Sequence, residues 1–192
     1  GNVVNLNRLS SDGEIIQLNK DGSQIGSIGT NGSYIYVGSG DVNLRFHAAA
    51  DSILPATTGG ATRDSAINLG TSGAKFKDLH LSGIVRSSAS AVTASGASTT
   101  IDMSSSSFHV ITMQADTTFT LSNLANAVTT SGSIVIKQDA TGGRDFTLPS
   151  SCKTPLGGAS IVQYTSANST SVLSYMVISS TEVLVNYVGN FA

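Results

Sequence analysis

The side chains that could do chemistry in this chain of 192 residues are three histidines, one cysteine and twelve acidic residues. His47, His80 and His109 lie in three separate segments and form no HxH, HxxxH or HExxH pair, so the sequence offers no local set of metal ligands. A metal would need three copies of one histidine around a symmetry axis, and the simpler interpretation is a partly exposed strand histidine. Serine is abundant, but no G-x-S-x-G motif occurs, and abundance alone does not nominate a catalytic triad.

Residues 139–145 form the one loop that combines both charge signs with paired glycines. Asp139 and Asp145 could bind calcium or a sugar, but the carboxylate spacing of an EF-hand is absent, which favours a glycine-rich hairpin loop between two strands. A polysaccharide-cleaving enzyme would need two carboxylates about 5 to 9 Å apart in a groove. The acidic residues are instead scattered over the turns, and the long repeats of a β-helix are missing. We therefore expect no enzymatic activity, no metal and no cofactor.

The composition points to strands and turns. Charged residues make up only 11% of the chain, against about 25% in typical soluble domains, and Ser, Thr, Gly, Ala and Asn replace them. Such a chain is poor in helix formers, so we predict an all-β fold. The formal net charge is −2 and Lys and Arg are not clustered, so nucleic acid is not an expected partner. No apolar run approaches the roughly 18 residues of a membrane span, so membrane insertion is not expected either.

Turn-forming pairs divide residues 12–46 into short strands. The pairs are Asp12-Gly13, Asp21-Gly22 and Asn31-Gly32, and each is followed by a run rich in Ile, Leu, Tyr or Val. Asp-Gly and Asn-Gly supply the two positive φ angles of a type I′ turn, so we predict a β-meander with an edge strand before it in residues 1–11. So thin a sheet buries little, and we expect the missing core to come from other copies of the chain rather than from its C-terminal part.

The runs DGSQIGSIG, YIYVGSGDVNLRF and AINLGTSGAKFKDLHLSG together resemble a module near the end of tail fibres and other fibrous proteins of tailed bacteriophages, marine ones in particular. The resemblance covers roughly residues 8–84. It implies an intertwined homotrimeric fibre whose strands wrap around a threefold axis. Within this module we also expect short strands near 67–69 and 79–81, with a turn at 71–73.

Three parts are expected along the chain. Residues 1–86 form the fibre or shaft-like β module, and residues 87–100 form a Ser/Ala-rich neck or linker. Residues 101–192 form a head in which about seven short strands predict an antiparallel, jelly-roll-like β-sandwich. The stretch TTFTLSNL to GSIVIKQDATGGRDFTLPS is similar to C-terminal head domains of phage fibres and capsid-attached fibres. The strand-like pattern at the first residue suggests a piece cut from a longer protein.

The resemblance implies a structural protein of a phage virion, the distal part of a homotrimeric tail fibre. Its N-terminal side would contact other virion proteins, and its head would contact a host cell-surface glycan or protein. A capsid-attached decoration fibre or spike is one alternative, and a carbohydrate-active depolymerase is another. The head loops 125–132, 150–158 and 165–170 are the predicted contact regions, because they are polar and carried on a rigid scaffold. The residues predicted in them are Asn126, Thr129, Thr130, Lys153, Thr154, Asn168 and Ser169.

Overall fold

The structure is a computed structural model that describes residues 1, 3–158 and 160–191. Strands account for 47% of it and helices for 5%, which confirms the predicted all-β class. Its α-helix, α1 (Pro155–Gly158), is a single turn. The chain divides into two compact units, Gly1–Leu81 and Ser82–Ala192.

The first unit is built on a five-stranded antiparallel sheet in which every strand pairs with the next one along the chain. The predicted β-meander is therefore present. Its strands are β1 (Gly13–Lys20), β2 (Ser23–Asn31), β3 (Tyr34–Ser39), β4 (Val42–His47) and β5 (Ser52–Ala56).

The turn between β1 and β2 has the predicted type. Asp21 and Gly22 adopt φ values of 51° and 82°, and two successive positive values are the signature of a type I′ turn. The turn between β2 and β3 does not have the predicted type. Asn31 still pairs with Tyr34 inside the hairpin, and of the two turn residues only Gly32 has positive φ, at 61°. That sign pattern belongs to type II′.

The Asp12-Gly13 pair is not a hairpin turn, since the described part of residues 1–11 contains no strand. The predicted edge strand at 1–11 is therefore wrong. The Asp12 carboxylate has a different use, because it accepts a hydrogen bond of 2.8 Å from the backbone N–H of Gly32. Before it, the Arg8 guanidinium donates to the carbonyls of Ser11 and Glu14 and holds the chain in a loop.

Residues 63–89 run without a strand, so the short strands predicted near 67–69 and 79–81 do not form. A strand needs a hydrogen-bonded neighbour, and within the described chain no sheet pairing involves residues 67–69 or 79–81. The predicted turn is present, with the Thr71 N–H donating to the Ala74 carbonyl at 2.8 Å. Phe76 and Leu79 are each 66% exposed.

The second unit contains two sheets that share one core. Their orders are β12-β14-β13-β10-β8-β6 and β11-β9-β7. The strands are β6 (Ser90–Ala94), β7 (Ser98–Asp102), β8 (Phe108–Met113), β9 (Thr117–Ser122), β10 (Ser131–Gln138), β11 (Phe146–Thr147), β12 (Cys152–Lys153), β13 (Thr170–Ser179) and β14 (Glu182–Phe191).

From β6 to β11 the chain alternates between the two sheets and winds in one direction. Each strand pairs in parallel with the strand two positions later, which gives β6-β8-β10 in one sheet and β7-β9-β11 in the other. The corners are bonded as well: the Ala94 carbonyl accepts from the N–H groups of Gln114 and Ala115 at 2.8 and 3.0 Å. The result is a parallel coil of three turns, which the antiparallel strands β13 and β14 extend on one side.

This winding differs from the predicted antiparallel, jelly-roll-like sandwich. The parallel coil forms although the sequence has no β-helix repeats. Ser90, His109 and Ile134 occupy equivalent positions in successive turns, yet 19 and then 25 residues separate them. Because the corner loops differ in length, no constant period marks the sequence. Residues 87–100, predicted as a neck, contain β6 and the start of β7, with Ala94 fully buried.

The core lies between the two sheets. Phe119 and Phe146 from the three-stranded sheet stack with ring centroids 5.0 Å apart. Ile111, Ile134 and other side chains of the six-stranded sheet complete the same buried cluster. Full burial of each such side chain contributes about 1.5 to 3 kcal/mol, so this unit has the means to hold its own fold.

Replacing Gly22 by Val should destabilise the meander by about 1 to 2 kcal/mol, because an L-residue pays that cost at positive φ. Gly22→Asn should be nearly neutral, since Asn tolerates the left-handed region. Gly73→Val is the matched control, because Gly73 has no positive φ and no atom within 4 Å of an added Cβ. Thermal unfolding measures all three, and equal effects of Gly22→Val and Gly73→Val would contradict the turn assignment.

Candidate functional site

Two of the three predicted contact loops of the second unit, 125–132 and 165–170, lie at opposite ends of β10. In loop 125–132, the Thr129 N–H donates to the Val177 carbonyl and the Val177 N–H donates to the Thr130 carbonyl, both at 2.9 Å. At the other end, the Asn168 N–H donates to the Asp139 carbonyl at 2.9 Å. The eight residues of β10 span roughly 23 Å between these ends, so the loops do not form one continuous surface.

One of the predicted contact residues points inward. Ser169 is only 5% exposed, and its hydroxyl donates to the Tyr164 carbonyl at 3.1 Å, so it is not presented to a ligand. Its short polar side chain is used to close the loop. The other six stay predictions, with Thr154 half-buried and the remainder exposed: Asn126, Thr129, Thr130, Lys153 and Asn168.

A groove of about 380 Å³ lies beside loop 150–158, against β14. Strand β12 pairs only with Val183 and Leu184, so the later part of β14 has an unpaired edge there. Residues 154–164 form the opposite wall. The groove is lined by Thr154, Pro155, Leu156, Ser160, Ile161, Val162, Tyr164, Asn186, Tyr187, Val188 and Gly189.

Tyrosines fix the wall of this groove. The Tyr187 hydroxyl accepts from the Tyr164 N–H at 3.2 Å and bonds the Ser171 hydroxyl at 2.7 Å. Gly189 is required beneath the ring of Tyr164, because an added Cβ would overlap its Cδ2 atom. On the far side, the Gln163 side-chain amide bonds both the N–H and the carbonyl of Phe146, at 2.9 and 2.8 Å, and so replaces a strand partner for β11.

The chemistry of the groove is neutral. Its described lining contains no Asp, Glu, Lys, Arg, His or Cys. It offers the ring of Tyr164, which is 43% exposed, together with the amide of Asn186 and the hydroxyl of Ser160. Such a lining can stack and hydrogen-bond an uncharged ligand.

Loop 139–145 has a structural role. Oδ1 of Asp139 accepts from the N–H groups of Thr141 and Gly142 at 3.0 and 2.8 Å, and Oδ2 lies 3.5 Å from the Arg144 guanidinium. The Gly142 hydrogen bond is the main reason why the pKa of Asp139 lies below its usual range. The loop joins β10 to β11 in the other sheet, so it is a crossover and not the predicted hairpin.

The three histidines lie in different surroundings. Among the described residues, no group of three or more His, Cys, Asp or Glu side chains could hold a metal ion. His47 stacks on Tyr34 with centroids 4.1 Å apart, and His80 is exposed. His109 was expected to be partly exposed but is fully buried, and neither ring nitrogen has a hydrogen-bond partner. Desolvation therefore lowers its pKa below the ordinary value of 6.5.

The unfolded chain binds a proton on His109 near pH 6.5, while the folded chain resists it, so folding stability should fall as the pH drops below about 6.5. His109→Gln should reduce this loss of stability between pH 7.5 and pH 5, as measured by denaturant unfolding at each pH. His80→Gln is the matched control at an exposed site. An unchanged pH dependence in His109→Gln would show that another group causes the acid sensitivity.

Comparisons with known proteins bear on the second unit. Residues 92–180, a little under half of the chain, match the model of a family described as "Putative phage tail fibre C-terminal domain". The matched segment contains the last three residues of β6, all of β7 to β11, and the whole of β13. No curated protein and no solved structure matches the chain significantly. In the described residues, there is no helix with the length and hydrophobicity needed to cross a membrane. Residues 92–180 are thus similar to a phage tail fibre C-terminal domain, and this similarity supports a virion-associated structural fibre protein of a phage.

Proposed function

We propose that the chain is the distal part of a homotrimeric tail fibre. Its first unit joins three copies, and its second unit contacts the host surface. Other virion proteins would bind on the N-terminal side. The observation that carries the trimer is an uncovered apolar face of the β-meander.

This face, which we call the meander face, consists of side chains aligned across neighbouring strands. One row runs through all five strands and a second runs through three of them. The first row is Ile16, Ile28, Val37, Leu44 and Pro55, and the second is Ile35, Phe46 and Ile53. Within these rows Val37 is 37% exposed, Leu44 47% and Ile53 60%.

The chain covers only the opposite face of the same sheet. There Tyr36 is 1% exposed, and an added Cβ at Gly60 would overlap its ring. Gly59 and Gly60 belong to the segment after β5, where their carbonyls accept from Asn31 Nδ2 at 2.9 Å and from Arg45 at 3.3 Å. This segment lies over Tyr36 and leaves the meander face bare.

Identical copies are the occupants that fit the meander face best. Soluble monomers rarely expose a contiguous apolar patch larger than a few hundred Å². The two rows contain no charged side chain, so identical faces can meet around an axis without like-charge repulsion. Three copies of a tail fibre chain would thereby supply the missing core.

Light scattering should give a mass near three times 19.6 kDa for the intact chain. Leu44→Lys places a charge in the centre of the meander face and should shift the mass toward the monomer, because the buried ammonium would have no partner. Gln17→Lys is the control, since Gln17 is exposed and its neighbour Ile16 belongs to the meander face. A monomeric wild type, a trimer that tolerates Leu44→Lys, or an equal loss of the trimer in Gln17→Lys would contradict this assembly.

The groove beside β14 supports the second half of the proposal. Its neutral polar and aromatic lining suits an uncharged part of a host glycan or protein, and it includes Thr154 from a predicted contact loop. A single groove of this kind binds weakly. Three copies on one fibre raise the overall affinity by orders of magnitude, because the second and third contacts become intramolecular.

Val162→Arg should weaken adsorption of the purified chain to host cells at least tenfold. Val162 lines the groove and is 75% exposed, so the arginine side chain fills the groove without disturbing the core. Thr120→Arg is the control, since Thr120 is exposed on the three-stranded sheet. Adsorption is measured as bound fluorescent protein against concentration. Full adsorption by Val162→Arg would remove the groove from the attachment site.

A further inference from the structure

We propose that the outer face of the six-stranded sheet is a second contact between copies, in the same trimer that the meander face forms. This inference rests on the proposed homotrimer and adds a location within the second unit. The face is defined by the side chains of β8, β10, β13 and β14 that point away from the core, and we call it the outer face.

Apolar side chains line up across the outer face. The pairing register places Val110, Val135, Val172 and Val188 side by side on these four neighbouring strands, and Ala91 continues the row on the adjacent β6. Val188 is 52% exposed, whereas the inward residues on either side of Val110, Val135 and Val172 are buried.

A second apolar group lies four residues away along β13 and β14. Met176 and Leu184 are directly paired and are 50% and 45% exposed. Between this pair and the valine row runs a row of Phe108, Ser133, Ser174 and Asn186. Two small serines at the centre allow another backbone to approach closely.

Charges are kept to the borders of the outer face. Lys137 pairs with Thr112 and Thr170 in the row beyond the valines, and Glu182 lies at the start of β14. On β8, β10, β13 and β14 the three rows between them carry no charge, and Lys153 on β12, which pairs with Leu184, lies at the lateral border. Three identical copies can therefore turn this face toward a common axis without bringing like charges together at its centre.

The size of the outer face argues for another copy over an independent partner. Four strands spaced about 4.8 Å apart and three rows spaced about 6.7 Å apart give roughly 400 Å². A standard interface between two separate proteins buries about 800 Å² on each partner, so this face alone would hold a free partner weakly. A copy already held by the meander face is present at a high effective concentration, and a small contact is then sufficient.

Asn186 and Val188 belong both to the outer face and to the lining of the groove. The groove therefore opens at the rim of the outer face. A ligand in it would lie beside the contact between copies.

Chemical cross-linking of the intact chain tests this placement. Ser174→Cys puts a thiol at the exposed centre of the outer face, and Thr120→Cys puts one on the exposed side of the other sheet. With a short bismaleimide, Ser174→Cys should give covalent dimers, because one cross-link joins two of the three chains of a trimer. Thr120→Cys should give almost no dimers. Cys152 contributes little background, because burial raises the pKa of its thiol to about 11.

The outcomes separate the two proposals. Dimers in Ser174→Cys alone, together with a trimeric mass, support both. A trimeric mass without Ser174→Cys dimers, or with equal dimers in Thr120→Cys, overturns the outer face as a contact and leaves the meander face in place. A monomeric mass overturns the proposed trimer itself, and the outer face falls with it.

Discussion

A β-sheet has two faces, and in each unit of this protein the chain covers only one of them. Residues after β5 cover the Tyr36 side of the meander, and the three-stranded sheet covers the inner side of the six-stranded sheet. The uncovered faces carry aligned apolar rows instead of the polar residues that a solvated sheet normally presents. With 11% charged residues, the chain has few side chains with which to solvate those faces. The proposed assembly of identical copies would remove this apolar surface from water.

The two units differ in how far they depend on that assembly. The second unit buries a contiguous cluster that includes Phe119, Ile134 and Phe146, and its corners are hydrogen-bonded from one turn of the coil to the next. The buried apolar side chains of the first unit are Tyr36 and Ala56 within the described residues. Its stability should therefore depend on the concentration of the chain, because a contact that only the folded state makes stabilises that state by mass action.

The parts of the fold that depend on residues close together in the sequence could be predicted from the sequence. The Asp21-Gly22 turn needed only two residues that tolerate positive φ, and the meander followed from the spacing of such turns. The parallel coil could not be predicted in this way, because its strands pair across 19 and 25 residues and its loops share no period. Even within one hairpin the prediction was off by one residue, since Asn31 was predicted in the turn but pairs with Tyr34 in the strand. The groove was missed for the same reason: it brings Thr154 and Tyr164 to an edge of β14 that only the sheet order leaves free.

The few carboxylates of the chain explain why it offers shape and neutral surface in place of reactive groups. Asp12, Asp41, Asp102 and Asp139 each accept hydrogen bonds from backbone N–H groups of turns, in both units. The hydrogen bonds from Thr58 lower the pKa of Asp41, because they stabilise the ionised form of its carboxylate. A carboxylate that is hydrogen-bonded within a turn does not lie on a sheet face. On such a face its charge would repel the same charge on an identical copy. The same residues that shape the loops thereby keep the apolar rows free of charge, which suits the repeated weak contacts that we propose for the fibre.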